Sequence, residues 1–291
     1  MKRLALLTFG ALIAFQTPAA ATDFMFWSYT EWGDPPEDPV WAEVIGLTDF
    51  GQELYRYRNP FRFGSDTPAI IDYMAWDYDR GVMWVWVQQG FGIRKMNPFT
   101  GEVFPETFHH EGGSGGIAYH DGWLWHTSSH SYPSLTQIWR IHPDTGEMLH
   151  VPLQSTWAGF GTGGMVMGEG NTMYLFLPSV GETGVVAQYN YVGGTEAPFS
   201  LVSERFLPES IPLDFRERWS ICFREGVFYF GGYNGILTVD PETLEPVGYA
   251  YDGNLLLGIK CLGISPPFDP TRAERPTWSS LKVLYRQGGS P

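Results

Sequence analysis

The chain has 291 residues, 43% of them apolar, enough to bury a sizeable core and too many apolar positions for a disordered chain. Charged residues make up only 17% while aromatics reach 16% with 12 Trp and 35 Gly, which argues against a helical bundle and for a turn-rich all-β protein. A net charge of −14 excludes binding to a nucleic-acid backbone as the default function, because nothing here neutralises a polyanion.

Taken from the N-terminus, Lys2 and Arg3 precede an apolar run from Leu4 to Phe15, and Ala19-Ala20-Ala21 offers a small-residue cleavage site before Thr22. About a dozen apolar residues fall short of the roughly 20 that span a bilayer, so residues 1–21 read as a signal peptide. Its removal would move the net charge from −14 to −16. No later stretch is long and apolar enough to form a transmembrane helix, so residues 22–291 are expected to be one exported domain, periplasmic or extracellular.

The mature region then repeats. Ile141-His-Pro-Asp-Thr-Gly-Glu147 is echoed by Met96-Asn-Pro-Phe-Thr-Gly-Glu102 and Val239-Asp-Pro-Glu-Thr-Leu-Glu245, with weaker copies at 48–53 and 191–196. The closing glutamates fall at 53, 102, 147, 196 and 245, an interval of 45 to 49 residues. Between these turns, apolar strands meet at shorter polar turns: Trp76 to Trp86, Ile117 to Trp125, Met165 to Phe176 and Ile221 to Phe230. Asp121-Gly122 is the strongest hairpin signal among them. Each repeat therefore predicts four antiparallel strands in roughly 45–50 residues, one blade of a β-propeller. Five turn copies give five blades, with six as the alternative if an extra C-terminal strand forms its own sheet. Residues 24–58 lack a first strand, which Ile259 to Ile264 or Leu281 to Tyr285 would supply, closing the ring with N- and C-terminal strands in one blade.

The segment Ser114-Gly-Gly-Ile-Ala-Tyr-His-Asp-Gly-Trp-Leu-Trp-His126, continuing to Ile138 through Glu147, resembles the blades of bacterial quinoprotein-like and glutamine cyclotransferase propellers. Ser114-Gly-Gly-Ile117 stands where the cyclotransferases carry T-Q-G-L, and Leu124-Trp-His-Thr-Ser-Ser129 where they carry an aromatic followed by E-S-T-G. Tyr132-Pro-Ser134 covers part of their Y-G-x-S. The resemblance implies the propeller fold for this blade. The acidic residue expected to shuttle the proton in cyclisation is replaced by His126.

All seven histidines lie between 109 and 150, and four belong to two loops of the third repeat, 108–116 and 126–134. In a blade these loops share one face. His109, His110, Glu111, His126 and His130 are thus candidates for one rim, with His110 or His126 as a general base and the others as ligand-binding groups. Such a set would also suit a divalent metal, although no H-E-x-x-H or similar motif fixes a geometry and a metal is not the favoured reading. Trp157, beside a loop, offers a face for a sugar, and Arg216 with Arg218 would attract an anionic group. Asp66, Asp72, Glu209 and Asp214 lie near other loops facing the same way. The glycine-rich stretches 112–116 and 159–164 lack the Lys and Ser/Thr of a phosphate loop.

Cys222 and Cys261 occupy similar segments and leave two alternatives open, a disulfide or two buried thiols. The resulting expectation is an exported propeller that binds a small molecule, peptide, carbohydrate or protein partner at its channel mouth. The alternative is an enzyme at the histidine rim, cyclotransferase-like or carbohydrate-active.

Overall fold

The computed structural model describes residues 25–32, 41–48, 53–63, 67–88, 92–109, 115–128, 137–153, 164–177, 184–193, 198–216, 221–232, 235–252 and 259–264. These form 22 strands. The first blade takes β1 (Met25–Trp32), β2 (Trp41–Thr48) and β3 (Glu53–Arg58), and a short hairpin of β4 (Arg62–Phe63) and β5 (Thr67–Pro68) leads onward. The second blade is β6 (Ile71–Asp77), β7 (Val82–Val87), β8 (Gly92–Met96) and β9 (Val103–Phe108), and the third is β10 (Ile117–His120), β11 (Trp123–Ser128), β12 (Gln137–Ile141) and β13 (Met148–Pro152). The fourth is β14 (Met165–Met167), β15 (Thr172–Leu177), β16 (Val185–Tyr191) and β17 (Phe199–Phe206). One helical turn, α1 (Leu213–Arg216), precedes the fifth: β18 (Ile221–Arg224), β19 (Val227–Gly232), β20 (Gly235–Val239) and β21 (Pro246–Asp252).

The last strand, β22 (Ile259–Ile264), returns to the first blade and pairs antiparallel with β1, from Phe26↔Ile264 to Thr30↔Ile259. The result is five four-stranded antiparallel sheets, the first ordered β22-β1-β2-β3. The chain is a β-propeller closed by its two ends, as the 45–49-residue interval predicts. The closing strand is the 259–264 segment; Leu281 to Tyr285 lies outside the described residues.

Each sheet is buried on both faces, which explains near-continuous apolar runs such as Val82-Met-Trp-Val-Trp-Val87. Alternation then sends odd and even residues into different cores. On β7, Met83, Val85 and Val87 pack with Val44 and Phe61 toward the first blade, while Trp84 and Trp86 pack with Ile117 and Leu124 of the third. The same division recurs around the ring. Trp125 and Ile138 meet Leu175 and Tyr189 between blades three and four, Phe176 meets Phe230 between four and five, and Tyr229 and Ile236 meet Ile45, Leu47 and Leu262 between five and one.

The repeated turn has a defined local chemistry. In three described copies the residue before or at the Pro caps the turn: Asn97 Oδ1 accepts from the amides of Phe99 and Thr100, and Asp240 Oδ1 from those of Glu242 and Thr243. His142 serves in the same place through Nδ1, accepting from Asp144 and Thr145. Thr100, Thr145 and Thr243 hydroxyls then accept from the closing glutamate amides. The residue before each glutamate has positive φ: Gly101 (74°), Gly146 (72°) and Leu244 (62°). The hairpin turns show similar geometry, with Asp121 at φ 51° and Gly122 at 77°.

Cys222 is a buried, free thiol, and its Sγ donates to the Leu262 carbonyl across the core between blades five and one at 3.3 Å. Of the two alternatives, the structure carries Cys222 as a buried thiol, and the two cysteines lie on separate sheets. Burial pushes the Cys222 thiol well above its ordinary range.

These turns make one stability prediction. Gly146→Ala should cost about 2 kcal/mol, combining the left-handed backbone strain with displacement of the Phe108 ring, which lies 3.1 Å from where a Cβ would sit. Gly122→Ala, at φ 77° with open space around it, carries the backbone strain alone. Urea unfolding of both should show the larger loss at Gly146, and equal losses would remove any role for the Phe108 contact.

Candidate functional site

The five innermost strands, β22, β6, β10, β14 and β18, run in the same direction around the axis, because each blade presents its first-ranked strand inward. The axis therefore has an upper end, where these strands begin, and a lower end, where β6, β10, β14 and β18 finish in hairpin turns. A cavity of about 140 Å³ lies along it, lined by residues of β6, β10, β14 and β18 and of the turn after β6. Met74, Ala75, Ile117, Ala118, Met165, Val166 and Ile221 give its walls apolar side chains, within a lining that is about equally polar and apolar. Trp76, Tyr78, Tyr119, Met167, Phe223 and Arg224 cluster at the lower end.

Four of those lower residues lie in or just before the hairpins that end the inner strands: Tyr78 in the four-residue turn after β6, Tyr119 and Phe223 on the strands just before two-residue turns, and Met167 at the end of β14. Sequence reading finds these turns without singling out the side chains beside them.

Beneath the cavity the second and third blades are joined by a polar network. Asp77, fully buried, accepts from the indole of Trp84 at 3.0 Å, from the backbone amides of Asp79 and Arg80, and from Arg80 Nη1 at 3.2 Å. Arg80 also forms a fork with Asp144 at 2.9 and 2.6 Å and donates to the Tyr119 hydroxyl at 3.0 Å. Tyr119 in turn donates to Asp79 Oδ2 at 2.5 Å, and its ring meets Tyr78 edge-to-face at 5.0 Å. Burial, followed by the bond to Asp79, raises the Tyr119 hydroxyl well above its ordinary value. Burial likewise raises Tyr78, partly offset by the Asp121 amide, which donates to its hydroxyl at 3.3 Å. The Asp144 carboxylate is held below the usual range by its bonds to Arg80.

At the upper end the structure spreads the sequence-derived candidates. His126, fully buried near the end of β11, stacks on Trp86 with ring centres 4.6 Å apart, and its Nδ1 lies 3.1 Å from the Gly116 carbonyl. Thr127 next to it bonds the same carbonyl through its amide. Gly115 accommodates this approach, since a Cβ there would come within 1.6 Å of the Thr127 oxygen. His126 is thus packed between the second and third blades. His109 is exposed at the end of β9, and Arg216 is half-buried at the end of α1, before the fifth blade. Asp72 is 9% exposed at a bulge near the start of β6. His110, Glu111, His130, Trp157 and Asp66 lie outside the described residues. Among the described residues no group of three or more His, Cys, Asp or Glu side chains could hold a metal ion.

Of these groups, Asp77 is the one whose loss should be felt most. Asp77→Ala leaves the Trp84 indole without its acceptor in the core and frees one arm of Arg80, for an expected loss of about 2–3 kcal/mol by urea unfolding. A loss below about 0.5 kcal/mol would show that the network does not hold the second and third blades together.

No protein-family model matches this chain, and no curated protein matches it in sequence. Among solved structures, a chain of a nidogen–laminin complex superposes with a TM-score of 0.50 at 11% identity, covering 83% of this chain and 97% of that one. A gluconolactonase from Xanthomonas campestris gives a TM-score of 0.46 at 13% identity, covering 85% and 88%. A glutaminyl cyclase from Myxococcus xanthus gives 0.44 at 10% identity, covering 67% and 82%. The first of these likenesses, at 11% identity, bears on the fold alone, the β-propeller described above.

Proposed function

We propose that the protein is an exported β-propeller that binds a small ligand in its axial cavity. The observation that carries this reading is the cavity itself: about 140 Å³ of space on the inner strands of four blades, with Tyr78, Tyr119, Phe223 and Arg224 at one end. Binding sites are concave and set polar groups among apolar surface, and this space is concave with a mixed polar and apolar lining. It is smaller than the ~300–1,000 Å³ pockets that enclose drug-sized molecules, so the ligand is a small molecule or a single side chain of a peptide rather than an oligosaccharide. Export rests on the basic, apolar and small-residue segments of residues 1–21.

The alternative, an enzyme at the histidine rim of the third blade, would rest on His109 and His110 beside the buried His126. Alanine at both positions would abolish such an activity without changing ligand retention in the axial cavity.

Native mass spectrometry of the mature protein, after incubation with a small-molecule extract of its host, tests the binding reading. A retained mass should be present with the wild type, and absent from Ala118→Met, which fills the cavity, or from Tyr78→Ala, which removes part of its rim. Equal retention by all three proteins, or none by the wild type, sinks the axial site. For export, N-terminal sequencing of protein recovered outside the cytoplasm should begin at Thr22. Full-length chain retained in the cytoplasm contradicts it.

A further inference from the structure

On the reading of the axial cavity as the ligand site, we infer the charge of what it takes: its lower opening receives a cationic group, an ammonium or guanidinium carried by the ligand. Carboxylates gather on one side of this opening. Asp77, Asp79 and Asp121 come from the inner hairpins of the second and third blades, and Asp144 from the outer turn of the third. Arg80, bonded to Asp77 and Asp144, is the one guanidinium of that network. Asp79 and Asp121 are both exposed. Asp79 accepts from the Tyr119 hydroxyl, whereas Asp121 is bonded through its backbone amide and its carboxylate has no partner among the described residues. These charges are felt at the opening itself. After burial, the charges of Asp79, Asp121 and Asp77 raise the hydroxyl of Tyr78, an exposed residue that lines the cavity. The potential at the mouth is therefore negative on this side.

The lining agrees with that sign. Trp76, Tyr78, Tyr119 and Phe223 bring four aromatic side chains to the lower end, from β6, the turn after it, β10 and β18. Aromatic rings attract cations, and a carboxylate close by adds a full charge to that attraction. A lining about equally polar and apolar also suits an alkylammonium, which has an apolar chain and a charged head. Arg224 stands at the same end on the fifth-blade side, with the exposed Glu225 next to it in the chain. The cation is therefore held on the side of the second and third blades, where an anionic head would be repelled by Asp79 and Asp121.

The test uses the mature protein in calorimetric titrations with n-butylammonium, n-butanol and butyrate, which share a short alkyl chain and differ in charge. A fourth probe, Nα-acetyl-lysine methylamide, carries the ammonium of a peptide side chain. The n-butylammonium ion should bind with Kd below about 5 mM, at least about fivefold more tightly than n-butanol and about tenfold more tightly than butyrate. Salt raised from about 0.05 to about 0.5 M should weaken n-butylammonium at least about threefold and n-butanol less than about twofold. Asp121→Asn keeps a residue type tolerated at φ 51° and should weaken n-butylammonium about threefold, with n-butanol within about twofold. Glu102→Gln, in the outer turn of the second blade, should leave both affinities unchanged. Tighter binding of the lysine derivative than of n-butylammonium assigns the cation to a peptide, and the reverse order assigns it to a free amine. Butyrate or n-butanol binding as tightly as n-butylammonium overturns the inference, as does an unchanged affinity in Asp121→Asn or an equal loss in Glu102→Gln. If no probe binds while the wild type still retains a host molecule that Ala118→Met loses, the cationic class is wrong and the axial site stands. If nothing binds in either experiment, both fall together.

Discussion

The structure depends on one constraint: every sheet is apolar on both faces and must be covered on both. A single such blade would expose two greasy surfaces, and a row of them would still expose one at each end. Only a closed ring leaves none, so the pairing of β22 with β1 has consequences well beyond one strand ladder. It completes the core in which Ile45, Leu47 and Leu262 meet Cys222, Tyr229 and Ile236. Burying a side chain of the Leu or Ile type contributes about 1.5–3 kcal/mol, so leaving that core open would expose a large fraction of the marginal stability typical of a domain.

The repeated Pro-x-Thr-Gly-Glu turn reads locally as a strand connector, but in the folded ring it is also a latch. Tyr55 and Tyr57 of the first blade both donate to the Pro98 carbonyl in the turn of the second, and Arg80 of the second reaches Asp144 in the turn of the third. Arg205 of the fourth blade donates to the Pro241 and Glu242 carbonyls in the turn of the fifth, and Ser210 bonds Glu245 there at 2.5 Å. The turn's internal hydrogen bonds hold its carbonyls and acids outward, toward the preceding blade. This explains why different residues can serve in it. His142 replaces Asn or Asp because one ring nitrogen can accept the same two amides, and Leu244 tolerates φ of 62° because its side chain is buried with Phe230 and Leu237.

Much of this architecture is legible in the sequence, because the features that encode it are local and repeated. The five glutamate positions give the blade number, and Asp121-Gly122 gives a hairpin with both residues at positive φ. The site is less legible, for a physical reason. A side chain's exposure depends on which of two inter-blade cores its strand parity selects, and parity is set by register. His126 looks like a loop base in the sequence, yet lies within β11 opposite Ile117, where it packs on Trp86. Tyr78 looks like a turn residue, yet reaches the axis. The cysteines show the same limit: similar flanking sequences place Cys222 and Cys261 on neighbouring inner strands, yet the flanking residues do not say which core the Cys222 thiol enters, and it packs on Leu262.

A repeated scaffold becomes a selective one where its copies differ. In the body of the inner strands, Ala75 and Ala118 are small enough to leave space at the axis, in a ring where larger side chains would close it. At the lower end the hairpins that finish the inner strands differ in length from blade to blade, and they bring Tyr78, Tyr119, Met167 and Phe223 to the cavity from different points of the turn. The polar side of the opening faces the second and third blades, where Asp77, Arg80 and Asp79 already hold Tyr119 in place, and Arg224 enters from the fifth. This end therefore presents an oriented surface, with polar groups at defined points and apolar surface between them. Orientation of that kind is what a symmetric ring cannot supply by itself, and here it comes from side chains that the fold leaves free to vary.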